Sequence, residues 1–124
     1  MIYRRDEPFR FQFKKPILGQ FKILSINGER LNEPKMATAE ILDLSPNGLK
    51  FSTKLVLPFD KKKLLLEVSF ILNDKVIRIL GTPIWKREAG PHFIYGLQGI
   101  EDQETKIEIV EELKEFSRKS IHIK

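Results

Sequence analysis

The sequence predicts a mainly β protein: six or seven short antiparallel strands, arranged as a sandwich or a small barrel, followed by one C-terminal α-helix. Three observations predict it. From Phe9 to about Ile100, apolar and polar residues alternate with a period of two, the spacing that sends successive side chains to opposite faces of a strand. The alternation is punctuated by Asn27-Gly28, Pro46-Asn47-Gly48, Asn73-Asp74 and Gly90-Pro91, all residue types that tolerate the backbone angles of tight turns. Beyond Ile100 the period lengthens to that of an amphipathic helix.

Phe9, Phe11 and Phe13 alternate with Arg10, Gln12 and Lys14, a first strand with its rings on one face, which Pro16 is expected to interrupt. Phe21 to Ile26 forms the next segment and runs into Asn27-Gly28, a pair favoured in type I′ hairpin turns because both residues accept positive φ. Met36 to Leu42 and Leu49 to Thr53 are two more extended segments. Leu64, Leu66, Val68, Phe70 and Leu72 then share one face, Asn73-Asp74 turns the chain and Val76 to Leu80 returns it, the clearest hairpin in the sequence. Ile84-Trp85 and Phe93 to Ile100 supply the last strands, with Arg87 to Pro91 as the turn between them and Trp85 expected in the core in preference to a ligand-stacking role.

A helix is expected over 102–118. Glu101, Asp102 and Glu104 stand where a helix N-terminus favours anions, and Arg118 and Lys119 where its C-terminus favours cations. Val110, Leu113 and Phe116, with Ile109 beside them, form an apolar stripe suited to packing on the outside of the β unit or over one of its mouths.

At 124 residues the chain fits a single domain spanning 1–124, in which 1–9 is an arginine-bearing leader, 10–100 the β unit and 102–118 the helix. No apolar run approaches the roughly 18 residues of a membrane span, and Met1 to Asp6 has no apolar core of a signal peptide, so no membrane span and a cytoplasmic location are expected. The absence of cysteine excludes disulfides and thiolate metal sites. His92 and His122 are the only histidines and have no helical partner spacing, so no metal and no cofactor are assigned. A net charge of +5 suits a phosphate-bearing partner as well as plain solubility, and Lys61-Lys62-Lys63 reads as a solvated turn in preference to an anion patch.

Asp43-Leu44-Ser45-Pro46-Asn47-Gly48 is the most informative stretch. Locally it is a good turn: proline presets φ, asparagine tolerates the left-handed region, glycine accepts positive φ, and Asp43 and Ser45 can bond to the turn's own amides. Arg4, Arg5 and Arg10 are equally compatible with a solvated terminus. Taken in order, however, an arginine cluster, a first strand, a strand pair and then Asp-Leu-Ser-Pro-Asn-Gly resemble the PilZ domain family of cyclic di-GMP receptors. That family's Asp/Asn-x-Ser-x-x-Gly signature is complete in Asp43, Ser45 and Gly48, and Leu49-Lys50-Phe51 continues it. Gly81 to Trp85 is similar to the family's penultimate strand and Tyr95 to Ile100 to its last. The family's Arg-x-x-x-Arg signature is one residue longer here, with four residues between Arg5 and Arg10 and Asp6 four before Arg10.

The resemblance implies a split antiparallel β-barrel of six or seven strands with a C-terminal helix, and a cyclic di-GMP site made of Arg4, Arg5, Arg10, Asp43, Ser45, Asn47 and Gly48. The chemistry suits those residue types. A guanidinium can address the O6/N7 edge of guanine bidentately, pair with phosphate or stack on the purine, and an ionised Asp43 can accept from the N1/N2 donor edge. On this reading the chain is a receptor without catalytic turnover that relays nucleotide level to an unidentified protein effector, as a monomer or a homodimer. The stretched arginine spacing sustains an alternative, a PilZ-like interaction module that does not bind nucleotide. A third reading, a basic barrel for single-stranded nucleic acid, is disfavoured because Phe9, Phe11 and Phe13 alternate as a core face does, and neither DNA nor RNA is expected as a partner. No nucleophile, base and orienting group stand together in a recognisable spacing, so an enzyme is not expected.

Overall fold

The computed structural model describes residues 10–100 and 102–122. In chain order these form β1 (Phe11–Ile26), β2 (Glu29–Arg30), β3 (Met36–Ser45), β4 (Gly48–Thr53), β5 (Leu64–Leu72), β6 (Lys75–Ala89), β7 (His92–Gly99) and α1 (Gln103–His122). Every pairing is antiparallel and the strands follow the order β2-β1-β3-β4-β7-β6-β5. β1 also pairs with β5, so the sheet curls into a barrel instead of splitting into a sandwich. Closure is not complete. The β5–β6 ladder stops at Leu66 opposite Gly81, which leaves the second half of β6 paired to β7 alone.

Several segments expected as separate strands are continuous. β1 passes through Pro16 because its register against β3 shifts between Gln12 and Ile17, and a bulge there leaves the proline, which has no N–H, outside the ladder. Val76–Leu80 and Ile84-Trp85 are likewise one strand, β6, with a second shift between Pro83 and Trp85. The turn expected over Arg87 to Pro91 is shorter. Arg87, Glu88 and Ala89 pair with β7, and only Gly90 and Pro91 turn the chain, with Gly90 at φ 63°. Two other hairpins match the local chemistry closely: Asn27 and Gly28 take φ 53° and 84°, and Asn73 and Asp74 take 53° and 66°, the pair of positive values a type I′ turn requires.

Alternation puts Ile41, Leu44, Leu49, Phe51, Leu66, Val68, Tyr95 and Leu97 inside the barrel. Phe21, Phe51, Tyr95 and Phe59 run through it as a chain of ring contacts with centroids 5.2, 5.5 and 6.2 Å apart. α1 lies over the end where β1 begins and the β3–β4 and β5–β6 turns meet. Its buried apolar residues are Ile109 and Leu113, four apart, and Val110 and Phe116 beside them are half-buried. The Phe116 ring meets those of Phe11 and Phe13 edge-on, at 5.5 and 5.4 Å.

Two polar devices fix the helix. Asp102 caps it, accepting the Thr105 hydroxyl at 2.7 Å and its N–H at 3.4 Å, and those bonds hold the carboxyl below its ordinary range. Glu112 is buried on the stripe's flank. It accepts from Asn73 Nδ2 at 2.9 Å and lies 3.0 Å from Lys75 Nζ, while Asn73 Nδ2 also donates to the Glu112 carbonyl. The Asn73 bond first, and then Lys75, hold the Glu112 carboxyl below the usual glutamate range.

The opposite end of the barrel carries the 54–63 loop. Its anchor is Tyr95, fully buried, whose hydroxyl accepts the Leu57 N–H at 2.8 Å and donates to the Leu55 carbonyl at 2.9 Å. Burial pushes that hydroxyl's pKa up. Asn27 anchors the other side of the loop: its N–H donates to the Lys63 carbonyl at 2.7 Å and its Oδ1 accepts the Lys63 N–H at 2.8 Å. Lys61, Lys62 and Lys63 are exposed, the solvated turn that their run suggests.

Candidate functional site

The stretch Asp43 to Gly48 is mostly strand. Asp43, Leu44 and Ser45 end β3, Gly48 begins β4, and Pro46-Asn47 alone makes the turn. A one-residue register shift between Ile41 and Asp43 decides where the site faces. Ala39 and Ile41 point into the barrel, so strict alternation would send Asp43 inward as well. The extra residue at Leu42 instead puts Leu44 in the core opposite Leu49 and turns Asp43 to the outer surface beside Lys50.

Asp43 is nevertheless fully buried, because cations cover it. Its Oδ1 accepts from Arg10 Nη1 at 2.7 Å and from the Lys50 N–H at 2.8 Å. Its Oδ2 lies 3.4 Å from Lys50 Nζ but has no hydrogen-bond partner among the described residues. Leaving a buried acceptor unmade costs about 1–3 kcal/mol. Here the two adjacent positive charges offset that cost, and an acceptor directed at incoming donors results.

Ser45 and Asn47 form the turn itself. The Ser45 hydroxyl donates to the Gly48 carbonyl at 3.3 Å and accepts the Asn47 N–H at 3.2 Å, and the Asn47 carbonyl accepts the Gly99 N–H at 2.8 Å, tying the turn to the end of β7. Asn47 does not take the left-handed conformation its residue type would allow. Gly48 is needed for a reason that the turn alone does not disclose: a Cβ there would stand 2.0 Å from the Leu97 carbonyl oxygen of the neighbouring strand.

The structure thus brings together Arg10, Asp43, Ser45, Asn47 and Gly48 at the rim of the helix-capped end. Arg4 and Arg5, with the rest of the 1–9 leader, lie outside the described residues.

Two further residues belong to this face. Asp43 pairs with Lys50, Lys50 with Gly96 and Gly96 with Trp85, so one row crosses β3, β4, β7 and β6. Trp85 is not the core residue expected from its size. It is 37% exposed, because the shift after Pro83 rotates it to the outer face. There its indole lies on Gly96, where a Cβ would come within 2.1 Å of the ring nitrogen. Lys50 was legible in principle, since inward Leu49 and Phe51 imply an outward residue between them. Trp85 was not, because its face depends on the bulge.

No protein-family model matches the chain, and no curated protein matches it in sequence. A solved structure does. The crystal structure of the PilZ domain of CeSA, from a cellulose-synthesizing bacterium, superposes with a TM-score of 0.50 over 82% of this chain and 91% of that one, at 14% sequence identity. The fold is PilZ-like. At that identity the likeness concerns backbone architecture, and the chemistry of the PilZ-like barrel rests on its own side chains. Among the described residues no helix is long and apolar enough to cross a membrane, and no group of three or more His, Cys, Asp or Glu stands close enough to hold a metal ion.

Proposed function

We propose that this PilZ-like domain is a cyclic di-GMP receptor that binds the nucleotide on the outer face of β3, β4, β7 and β6 and relays its level to a protein partner. The observation that carries this reading is Asp43 Oδ2, a buried carboxylate oxygen with unused acceptor capacity set beside Arg10 and Lys50. The N1/N2 edge of guanine supplies the donors such an oxygen lacks. Arg10 and Lys50 supply positive charge for a phosphodiester, and Arg10 can instead fork onto O6 and N7. Trp85, against Gly96 and partly exposed in the same row, offers a ring on which a purine can stack. Ser45 and Gly48 shape the turn that sets Asp43 in place, and Asn47 stands beside them. Arg4 and Arg5 would complete the cationic contacts from the leader. The reading is of a binding switch without turnover, in which the nucleotide creates the surface that the partner recognises.

One observation favours the alternative of a module that does not bind nucleotide. Arg10 already pairs with Asp43 at 2.7 Å, so the site is partly satisfied by its own residues and a ligand must compete for them. Calorimetric titration with cyclic di-GMP separates the two readings. A receptor gives a saturable heat, and Asp43→Asn or Arg10→Ala weakens binding roughly ten- to a hundredfold, the cost of one buried charge-assisted contact. No heat and no rise in melting temperature with ligand well above micromolar establishes the non-binding module.

A further inference from the structure

The end of the barrel opposite α1 carries a surface that the nucleotide reading does not use. In the 54–63 loop Leu55 is 47% exposed and Val56 61% exposed, and Met36, at the start of β3, is 58% exposed. These are not side chains left out by a loose loop. The backbone around Leu55 and Val56 is held by the buried Tyr95 hydroxyl, which bonds to the residues at 55 and 57, and the loop's far end is held by Asn27. Leu55 and Met36 line one groove of about 530 Å3, together with the half-buried Leu31 and Ile23, so these two exposed apolar side chains are neighbours in space, and Val56 adjoins Leu55 in the chain.

The charge around them is one-sided. Segments 29–36 and 54–63 carry six cations, Arg30, Lys35, Lys54, Lys61, Lys62 and Lys63, against three carboxylates, Glu29, Glu33 and Asp60. All six cations are exposed, and none forms an ion pair among the described residues. Aliphatic side chains standing out of a lysine-rich rim match the two components of an anionic bilayer surface: the lysines meet the headgroup charge and the aliphatics enter the acyl boundary. A purely acidic polypeptide would engage the lysines but leave Leu55 and Val56 in water.

We propose that this end of the barrel docks on an anionic lipid surface, with Leu55 and Val56 inserting at the interface and Lys61, Lys62 and Lys63 lying against the headgroups. The inference is independent of nucleotide binding, since the candidate nucleotide site lies at the opposite, helix-capped end. It requires no spanning segment.

Co-sedimentation of the full chain with phosphatidylserine/phosphatidylcholine vesicles, against phosphatidylcholine alone, tests it. Binding is expected only with phosphatidylserine, and it should vanish at about 1 M salt, where screening shortens the electrostatic range to about 3 Å. Replacing Lys61, Lys62 and Lys63 together with serine should weaken binding roughly a hundredfold, about fivefold for each charge lost near the surface. Leu55→Ser with Val56→Ser should weaken it by about tenfold while leaving the salt dependence unchanged. The lysine variant keeps its fold, because only the backbone of these residues makes hydrogen bonds, and an unchanged thermal melt verifies this. Equal binding to both vesicle types, no binding to either, or undiminished binding by the lysine variant overturns the proposal. So does lysine-dependent binding to polyglutamate without vesicle binding, which assigns the surface to an acidic protein.

Discussion

The two ends of this barrel are closed by different physics. At one end α1 seals the core with side chains: Ile109 and Leu113 are buried, and Phe116 sits against Phe11 and Phe13. At the other end the 54–63 loop is fixed by hydrogen bonds from Tyr95 and Asn27 to backbone groups, and two of its aliphatic side chains remain in solvent. The difference teaches that directional bonds can order a loop without burying its side chains, whereas an amphipathic helix is ordered by what it buries. It also explains the surface each end offers. The helix-capped end shows polar and charged groups around a buried carboxylate, and the loop end shows lysines and aliphatics.

The largest effect should come from the apolar seal. Leu113→Ala removes a fully buried side chain from the helix and should lower unfolding free energy by about 2–5 kcal/mol in a urea titration. An effect below about 1 kcal/mol would mean that α1 does not hold this end, and the contrast would break. Next is Tyr95→Phe, which keeps the ring but leaves the Leu57 N–H and the Leu55 carbonyl without their partner. It should cost about 1–3 kcal/mol and raise the hydrogen-exchange rate of the Leu57 amide while sparing amides in α1. Loss of protection in α1 as well would show that the two ends are coupled.

The smallest effect is one of pH. Glu112 has its folded-state pKa depressed by Asn73 and Lys75, so the stability it contributes is fully present above its ordinary value of 4.5 and is lost as pH falls through the lower folded value. Asp102 acts with the same sign. Melting temperature should therefore decline in acid, and Glu112→Gln should flatten part of that decline. The Tyr95 hydroxyl, with its pKa raised by burial, stays neutral throughout that range, so Leu57 amide protection should be indifferent to acid until the helix end yields.

The candidate site shows how far the residue order reaches. Asp43, Ser45 and Gly48 were legible as a group, and the turn they surround formed where proline and asparagine placed it. What was not legible is that Asp43 belongs to a strand, that Lys50 and Arg10 cover it, and that one of its oxygens is left without a hydrogen bond. Gly48 stood out as a turn glycine, yet its requirement comes from the Leu97 carbonyl on a strand nearly fifty positions later. Trp85 illustrates the limit most clearly, since a large aromatic residue in a strand is ordinarily core and only the bulge after Pro83 sends it outward.

By itself the sequence determined the alternating segments, the turns at Asn27-Gly28 and Asn73-Asp74 and the amphipathic helix, because these follow from side-chain period and from the φ angles that Asn, Asp and Gly tolerate, both local properties. The tertiary structure alone decided that β1 and β5 are the pair that closes the sheet, that Pro16 and Pro83 sit at bulges within continuous strands, and that Asp43 and Trp85 share the outer face. The reason is that a bulge is defined by two strands at once. A single extra residue reverses inside and outside for everything beyond it, and only the partner strand fixes where that residue falls.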